Sequence, residues 1–227
     1  MKAPYDQLAR ILAKAGVGLV FDVGANVGQY ARKLRRHGYG GRIVSFEPAP
    51  ASRAALAAAM SGDRGWSLAE EAALGASRGR LALKVYDGSD MNSFHEYEPA
   101  LRRSLFSDEP VLESVQVEVH RLDEAARRYL DGETGLALKV DTQGHEAAVL
   151  AGAEKLLPRL AVIQLELSLR PVYEGESDFI ALTKSLAKRG FVPHHFFPVY
   201  FHERTARLYQ MDGVFVREDL SRAWLGD

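Results

Sequence analysis

Hydrophobic positions along this chain alternate between segments with the spacing of an α-helix and segments with the spacing of a β-strand. Apolar residues at helical spacing, from Leu8 to Ala15, predict a leading helix over residues 5–15 that Gly16 ends. The predicted strands cover residues 19–23, 42–46, 67–74, 80–86, 115–119, 136–141, 160–167, 191–197 and 208–216, and the later helices cover 27–36, 51–60, 122–130, 144–157 and 177–189. This order predicts one Rossmann-like α/β domain over residues 1–227, with a mostly parallel sheet and helices on both faces.

The first predicted strand runs into a turn of small residues that then opens a helix. The turn reads Val20-Phe21-Asp22-Val23-Gly24-Ala25-Asn26-Val27-Gly28. This pattern is typical of the first βα turn of a nucleotide-binding sheet, where glycines let backbone amides approach a ligand. Glu47 ends the next apolar run and is placed to accept hydrogen bonds from ribose hydroxyls. Together the two elements indicate an adenosine-type cofactor.

Asp22 narrows the choice of cofactor. A dinucleotide fingerprint has three glycines, but Asn26 and Gln29 stand at the second and third positions here. We expect Asp22 to place a carboxylate at the mouth of the turn, where it would repel a pyrophosphate. The same charge suits the ammonium and sulfonium groups of S-adenosylmethionine, which is therefore the predicted cofactor. The alternative interpretation is a structural turn with a solvated Asp22.

Composition limits the partners and the compartment. The formal net charge is −1, which argues against a nucleic-acid backbone as the main partner. The basic run 32–37 ends a predicted helix, where cations complement the helix dipole. The absence of cysteine excludes disulfides and thiolate sites. No apolar stretch resembles a secretory signal or is long enough to insert into a membrane, so we expect a cytoplasmic protein.

Acidic residues end four of the apolar runs, and a parallel sheet would bring them to one rim. These residues are Asp22, Glu47, Asp141 and Glu166. Methyl transfer needs an acceptor atom aligned with the methyl group and a group that takes up its proton. Asp141 is predicted to receive a proton or orient a hydroxyl, with His145 as the alternative base. Lys139 faces the same side as Asp141 and would neutralise the rim carboxylates.

Several structural alternatives remain open for these residues. Asp141 would also suit a cap on the following helix, and Lys139 would suit an ion pair with Glu166. Asp141, His145 and Glu166 are chemically suitable ligands for a divalent metal, which we do not favour because their spacing fits no defined signature. The irregular segment 87–110 is either a lid over the acceptor site or a loose surface loop. His194-His195-Phe196-Phe197 would form an acceptor-pocket wall or a packed strand end.

These motifs taken together resemble the FkbM-type methyltransferase family. The resemblance spans nearly the whole chain, and its most specific part is the pairing of the first turn with a second element. That element is Lys139-Val140-Asp141-Thr142-Gln143-Gly144-His145-Glu146, and further matching segments are Ser45-Phe46-Glu47-Pro48, Ala73-Leu74-Gly75, Ser93, Leu122-Asp123, the strand ending in Glu166, and Met211-Asp212-Gly213-Val214-Phe215-Val216. The resemblance implies a seven-stranded class I methyltransferase sheet with an antiparallel C-terminal hairpin. It also implies S-adenosylmethionine-dependent O-methylation of a sugar, glycolipid or polyketide-type natural product.

The resemblance further implies site residues. Cofactor binding would fall to Asp22, Gly24, Ala25, Asn26, Gly28, Glu47 and Pro48, with Ala72 and Ala73 near the adenine. Asp141, Gly144 and Glu146 match the second motif, whereas the pattern leaves the position of His145 open. The expected partner is a small-molecule or glycan acceptor, and a homo-oligomer is compatible with the sequence. The rival functions are a nicotinamide-dependent oxidoreductase of the same fold class and a cofactor-binding module that has lost turnover.

Overall fold

The computed structural model describes residues 4–86, 91–99, 111–130, 132, 135–202 and 205–226. Its strands are β1 (Leu19–Val23), β2 (Arg42–Phe46), β3 (Trp66–Leu68), β4 (Ala73–Leu74), β5 (Gly79–Val85), β6 (Glu113–His120), β7 (Leu136–Val140), β8 (Leu160–Ser168), β9 (Phe191–His202) and β10 (Arg207–Arg217). Its α-helices are α1 (Pro4–Lys14), α2 (Gln29–Arg36), α3 (Pro50–Ala59), α4 (Leu122–Ala125), α5 (Glu146–Ala151), α6 (Phe179–Ala187) and α7 (Glu218–Leu225), and two 3₁₀ turns cover Arg127–Tyr129 and Leu157–Arg159.

Seven strands form one sheet in the order β3-β2-β1-β7-β8-β10-β9. β1 pairs in parallel with β2 and β7, and the parallel pairing continues to β3 on one side and β8 on the other. β10 is antiparallel to both of its neighbours, β8 and β9. The predicted architecture, a mostly parallel seven-stranded sheet with an antiparallel C-terminal hairpin, is therefore confirmed.

The two faces of this sheet carry separate hydrophobic cores, because successive side chains of a strand point to opposite sides. Phe21 and Leu138 lie in the core that receives α4, α5 and α6. Val20 and Ala137 lie in the other core, against α1, α2 and α3. Helices thus cover both faces, as predicted. Asp22 and Lys139 follow two residues later on the second face, and so their side chains point toward the α1–α2 side.

The sequence prediction differs from the structure in the length and membership of several elements. The single strand predicted over 67–74 is two strands: β3 belongs to the large sheet, whereas β4 belongs to a small sheet of order β4-β6-β5. Glu70 and Glu71 are exposed between them, where the chain leaves the large sheet. α5 begins later than predicted because Gln143 and Gly144 have φ angles of +53° and +96°. Pro193 lies on β9, an edge strand, where a missing N–H is tolerated.

The segment predicted as a lid or a loose loop lies partly outside the described residues, and so its role stays a prediction. Residues 91–99 are described and run beside the cavity reported below. Ser93 makes a bridge with Lys84, and Tyr97 makes a bridge with Tyr173. Among the helices of the described part of the chain, none has the length and hydrophobicity needed to cross a membrane.

Candidate active site

The first turn is held in place by its own backbone and by Glu47. The amide of Asn26 donates to Glu47 Oε2 at 2.8 Å, and the amide of Ala49 donates to Glu47 Oε1 at 2.9 Å. Gly24 has a φ of +72°, and a Cβ there would lie 1.8 Å from the carbonyl oxygen of Asp141. The turn therefore packs directly on the end of β7, at a distance that only glycine allows.

Beneath the turn lies a buried ion network around Lys139. Its Nζ is 3.3 Å from Asp22 Oδ1 and 3.5 Å from Asp141 Oδ2, and it donates to the carbonyl of Gly24 at 2.8 Å. Burial alone would lower the pKa of Lys139, but Asp141 and Asp22 outweigh it and raise the pKa, which keeps the ammonium charged. The hydroxyl of Ser45 also donates to Asp22, at 3.1 Å.

This network corrects two expectations. Asp22 is neither solvated nor at the mouth of the turn: its exposure is 0%, and Lys139 neutralises its charge from within the protein. Burial raises the pKa of Asp22, and Lys139 opposes that rise. The structural ion pair of Lys139 is with Asp22 and Asp141 rather than with Glu166. Of the four carboxylates that Lys139 was expected to neutralise, it contacts Asp22 and Asp141.

A cavity of about 860 Å³ opens beside the turn, at the carboxyl ends of the parallel strands. One end of it, here called the first-turn end, is lined by Gly24, Asn26, Gln29, Glu47 and Pro48. The opposite end, here called the β8–β10 end, is lined by Gln164, Glu166, Tyr173, Gln210 and Asp212. Lys139 and Asp141 lie between the two ends, and the side chain of Asp141 is 33% exposed to the cavity.

Gln143 joins the polar groups on this side of the cavity. Its Nε2 donates to Asp141 Oδ1 at 2.8 Å and to Glu166 Oε2 at 3.1 Å. Its Oε1 accepts from the hydroxyl of Tyr173 at 2.7 Å. Gln210 donates to the same oxygen of Glu166 at 3.0 Å. Burial, and then the nearby Asp141, raise the pKa of Glu166 well above its usual range.

Asp212 is a cavity residue that the sequence-based site assignment missed. It lies on β10, directly opposite Glu166 of β8 in the pairing register. Burial, followed by the charge of Asp141, raises the pKa of Asp212 to about 7, although Lys139 opposes the rise. The available signal was an acidic residue within the mostly apolar segment 211–216 of the C-terminal strand. It becomes interpretable only when the antiparallel register with β8 is known.

His145 and Glu146 lie away from the cavity lining. His145 immediately precedes α5, and its Nδ1 is 3.1 Å from Nε2 of His95; burial lowers the pKa of His145 to about 4. Glu146 accepts hydrogen bonds from the amides of Thr142 and Gly144, at 2.8 and 3.3 Å. Burial raises the pKa of Glu146 to about 7. Glu146, and not Asp141, therefore satisfies the backbone at the start of α5.

The remaining predicted site residues divide between the cavity and the core. Gly28 packs against Trp66 and Leu56, and Ala25 is buried in the core beside α2. Ala72 lines a separate small pocket, and Ala73 packs in the core of the small sheet. Phe197, at the end of the predicted acceptor wall, does line the cavity. Among the described residues, no group of three or more histidine or acidic side chains could hold a metal ion.

Comparison with known proteins assigns this site to a family. The sequence model of the methyltransferase FkbM domain matches residues 22–193, which include the first turn from Asp22 onward, Glu47, and the Lys139–Glu146 element. The chain belongs to the FkbM methyltransferase family. It is 32% identical to the methyltransferase sdnD of Sordaria araneosa, over an alignment that covers 60% of each protein.

Solved structures agree on the fold. A methyltransferase FkbM from Methylobacillus flagellatus is 15% identical with a TM-score of 0.52, and the match covers 88% of this chain and 44% of that one. The magnesium protoporphyrin IX methyltransferase ChlM of Synechocystis, solved with bound S-adenosylmethionine, is 12% identical with a TM-score of 0.50. The match covers 94% of this chain and 77% of ChlM. The FkbM chain described here thus spans less than two thirds of sdnD and less than half of the Methylobacillus protein. The expectation that nucleic acid is not a partner stays a prediction.

Proposed function

We propose that this FkbM-family methyltransferase uses S-adenosylmethionine to methylate a hydroxyl of a sugar, glycolipid or polyketide-type natural product. The observation that carries the proposal is one continuous cavity. It joins the first turn and Glu47 to a set of carboxyl groups at the β8–β10 end. A methyl donor and an acceptor need adjacent sites of this kind, because the reacting atoms must be held in line.

The cavity suits the proposed donor chemically. Its lining carries four carboxyl side chains and two lysines, while Asp22 is neutralised inside the protein. Where the lining carboxyl groups are ionised, they would repel the two charges of a pyrophosphate and attract a sulfonium and an ammonium. Glu47 already accepts two backbone amides, and each of its oxygens retains a lone pair for a ribose hydroxyl. Gln29 at the same end has a buried Oε1 without a hydrogen-bond partner among the described residues.

The side chains around the middle of the cavity would have separate roles in methyl transfer. S-adenosylmethionine, when bound, supplies an activated methyl group. We infer that Asp141 orients the acceptor hydroxyl, since its carboxylate faces the cavity and is fixed by Lys139 and Gln143. Glu166 is held by Gln143 and Gln210 and would help to shape this wall. His145 receives no role in transfer because it lies outside the lining.

The walls of the cavity support a hydroxylated acceptor. Aromatic side chains line it, among them Tyr97, Tyr173, Phe197 and Tyr200. Aromatic rings bury apolar surface and, as tyrosine, also offer a polar group. A sugar or polyketide presents the same combination of C–H surface and hydroxyl groups. The carboxyl groups between these rings would accept hydrogen bonds from the hydroxyls.

Ligand-induced stabilisation tests the donor. A ligand that binds only the folded state raises the melting temperature, so S-adenosylhomocysteine should raise it and NAD should not. A shift with NAD alone would favour the oxidoreductase and overturn the proposal. Neither ligand shifting the melting temperature would also contradict it.

Methyl transfer from labelled S-adenosylmethionine to a panel of sugar and macrolide hydroxyls tests the reaction. Asp141→Asn should keep the S-adenosylhomocysteine shift and lose most of the transfer. An unchanged rate would remove Asp141 from the mechanism. Binding without transfer to any acceptor would instead favour a module that has lost turnover.

A further inference from the structure

We propose that Asp212, held by Gln164, is the catalytic residue that accepts the proton of the acceptor hydroxyl. The inference rests on the proposed function and assigns a residue to a step of it. Asp141 then holds the acceptor through a neighbouring hydroxyl, and the proton of the reacting hydroxyl passes to Asp212.

The position of Asp212 is fixed by the sheet. β10 lies between β8 and β9, so the backbone of Asp212 is paired on one side with Glu166 and on the other with Phe197. Its side chain lines the cavity on the same sheet face as Lys139 and Gln164. A base on a central antiparallel strand keeps its geometry better than one on a loop.

Gln164 supplies an independent sign that a ligand group belongs here. Its side chain is 3% exposed and lines the cavity, and its amide hydrogen-bonds with Asp212. Its Oε1 is buried and has no hydrogen-bond partner among the described residues. Buried acceptors are rarely left unpaired. A second hydroxyl of the acceptor, beside the one that gives its proton to Asp212, would satisfy this oxygen by donating to it.

The electrostatic surroundings suit a group that gains a proton near neutral pH. Burial and Asp141 raise the pKa of Asp212 to about 7, which is close to the operating range of an efficient general base. Asp141 is less suited to act as the base, because Lys139 neutralises its carboxylate and Gln143 donates a hydrogen bond to it. The ionisable groups that face Asp212 are Tyr5 of α1, Tyr30 and Lys33 of α2, Lys139 and Asp141 of β7 and its loop, and Glu166 of β8.

The step balances without a further reactant. The acceptor oxygen forms a bond to the methyl carbon while the carbon–sulfur bond breaks, and that electron pair stays on the sulfur as a neutral thioether. The hydroxyl proton passes to the Asp212 carboxylate and is later released to water through the open cavity. No oxidant, reductant or metal is consumed.

The first test needs no acceptor. The full chain is labelled with ¹³C at aspartate carboxyl groups, and the wild type, Asp212→Asn and the exposed control Asp219→Asn are titrated with S-adenosylhomocysteine bound. We expect one carboxyl signal whose titration has its midpoint near pH 7, and we expect this signal to be absent only from Asp212→Asn. S-adenosylmethionine should lower that midpoint, because its sulfonium charge lies next to the base. A midpoint that is identical with both ligands, or no such carboxyl, would overturn the proposal.

The second test uses transfer to methyl glycosides of glucose, mannose and rhamnose. Asp212→Asn should lower kcat by about 10²- to 10⁴-fold, with the S-adenosylhomocysteine shift retained, and should remove the ionisation from the pH profile. Gln164→Leu keeps the Asp212 carboxyl but removes its hydrogen bond, so the ionisation in the pH profile should move to higher pH. This variant provides the test if Asp212→Asn does not fold. A kcat within threefold of wild type for Asp212→Asn would exclude Asp212 as the base. Transfer to none of the glycosides would count against the proposed acceptor, while the carboxyl titration still decides the role of Asp212.

Discussion

The first-turn end of the cavity is built around a backbone turn that the Glu47 carboxylate holds, whereas the β8–β10 end is built from side chains of separate strands. At the first end, Gly24 and Asn26 approach β7 and Glu47 through main-chain atoms. At the second, Glu166 and Asp212 meet only because β8 and β10 pair in one antiparallel register. A site made of backbone tolerates few residue types, and this keeps its signature short and contiguous. A site made of side chains can change its ligand without changing the fold.

The largest expected effect tests the close backbone approach at the first-turn end. In Gly24→Ala the new Cβ would lie 1.8 Å from the Asp141 carbonyl oxygen, so the turn must separate from β7. We expect a loss of unfolding free energy above about 4 kcal/mol, or no folded protein. Gly62→Ala is the matched control, because it has a similar positive φ of +87° but no atom within 4 Å of the added Cβ.

The control should cost only the strain of a left-handed residue, about 1–2 kcal/mol. Denaturant unfolding of both variants measures the difference. Equal losses in the two variants would show that the contact between the turn and β7 is looser than described.

The next effect concerns the ion network that joins the two ends. Lys139→Met leaves Asp22 buried without its partner and should cost about 3–5 kcal/mol of unfolding free energy. Asp22→Asn in the same chain should restore part of that loss, because it removes the uncompensated charge. Chemical denaturation of the single and double variants checks this, and a double variant as unstable as the sum of the two singles would contradict the coupling.

A smaller effect is expected outside the cavity, at the His95–His145 pair. Burial lowers the pKa of His145 from 6.5 to about 4, so the folded state favours its neutral form. The unfolded chain binds this proton first, so the stabilising contribution is full above pH 6.5 and is lost as the pH falls toward 4. His145→Asn should reduce the acid-induced loss of stability by an amount on the order of 1–3 kcal/mol.

Melting curves at pH 4.5 and 7 compare His145→Asn with wild type and with His37→Asn at the end of α2. The same pH dependence in all three chains would show that the His145 proton is not coupled to folding. Catalysis should be affected less than stability, because the structure places His145 outside the cavity lining.

The contrast between the two ends also explains what the sequence could predict. The fold followed from periodicity because every strand of the large sheet carries its own apolar run. Glu47 and Gly24 could be recognised because each belongs to a short contiguous motif, although Gly24 packs on the distant Asp141 and Glu47 binds the amide of Asn26. The complete burial of the Asp22 side chain could not be predicted, because it depends on an ion pair with Lys139, which is distant in the chain. The position of Asp212 likewise depends on the register between β8 and β10. The contacts of Gln143 with Asp141 and Glu166 depend on its positive φ, which the local sequence does not predict.

The most direct test of the account is the affinity for S-adenosylhomocysteine, measured by calorimetry on the full chain. Glu47→Gln places an amide nitrogen against one of the two backbone donors and removes an acceptor for ribose. We expect saturable binding to wild type and an affinity at least about tenfold weaker in the variant, the equivalent of about 1.4 kcal/mol. Glu70→Gln, an exposed acid beyond β3, should bind as wild type does. Equal affinity in Glu47→Gln and wild type would contradict the assignment of the first-turn end as the donor site.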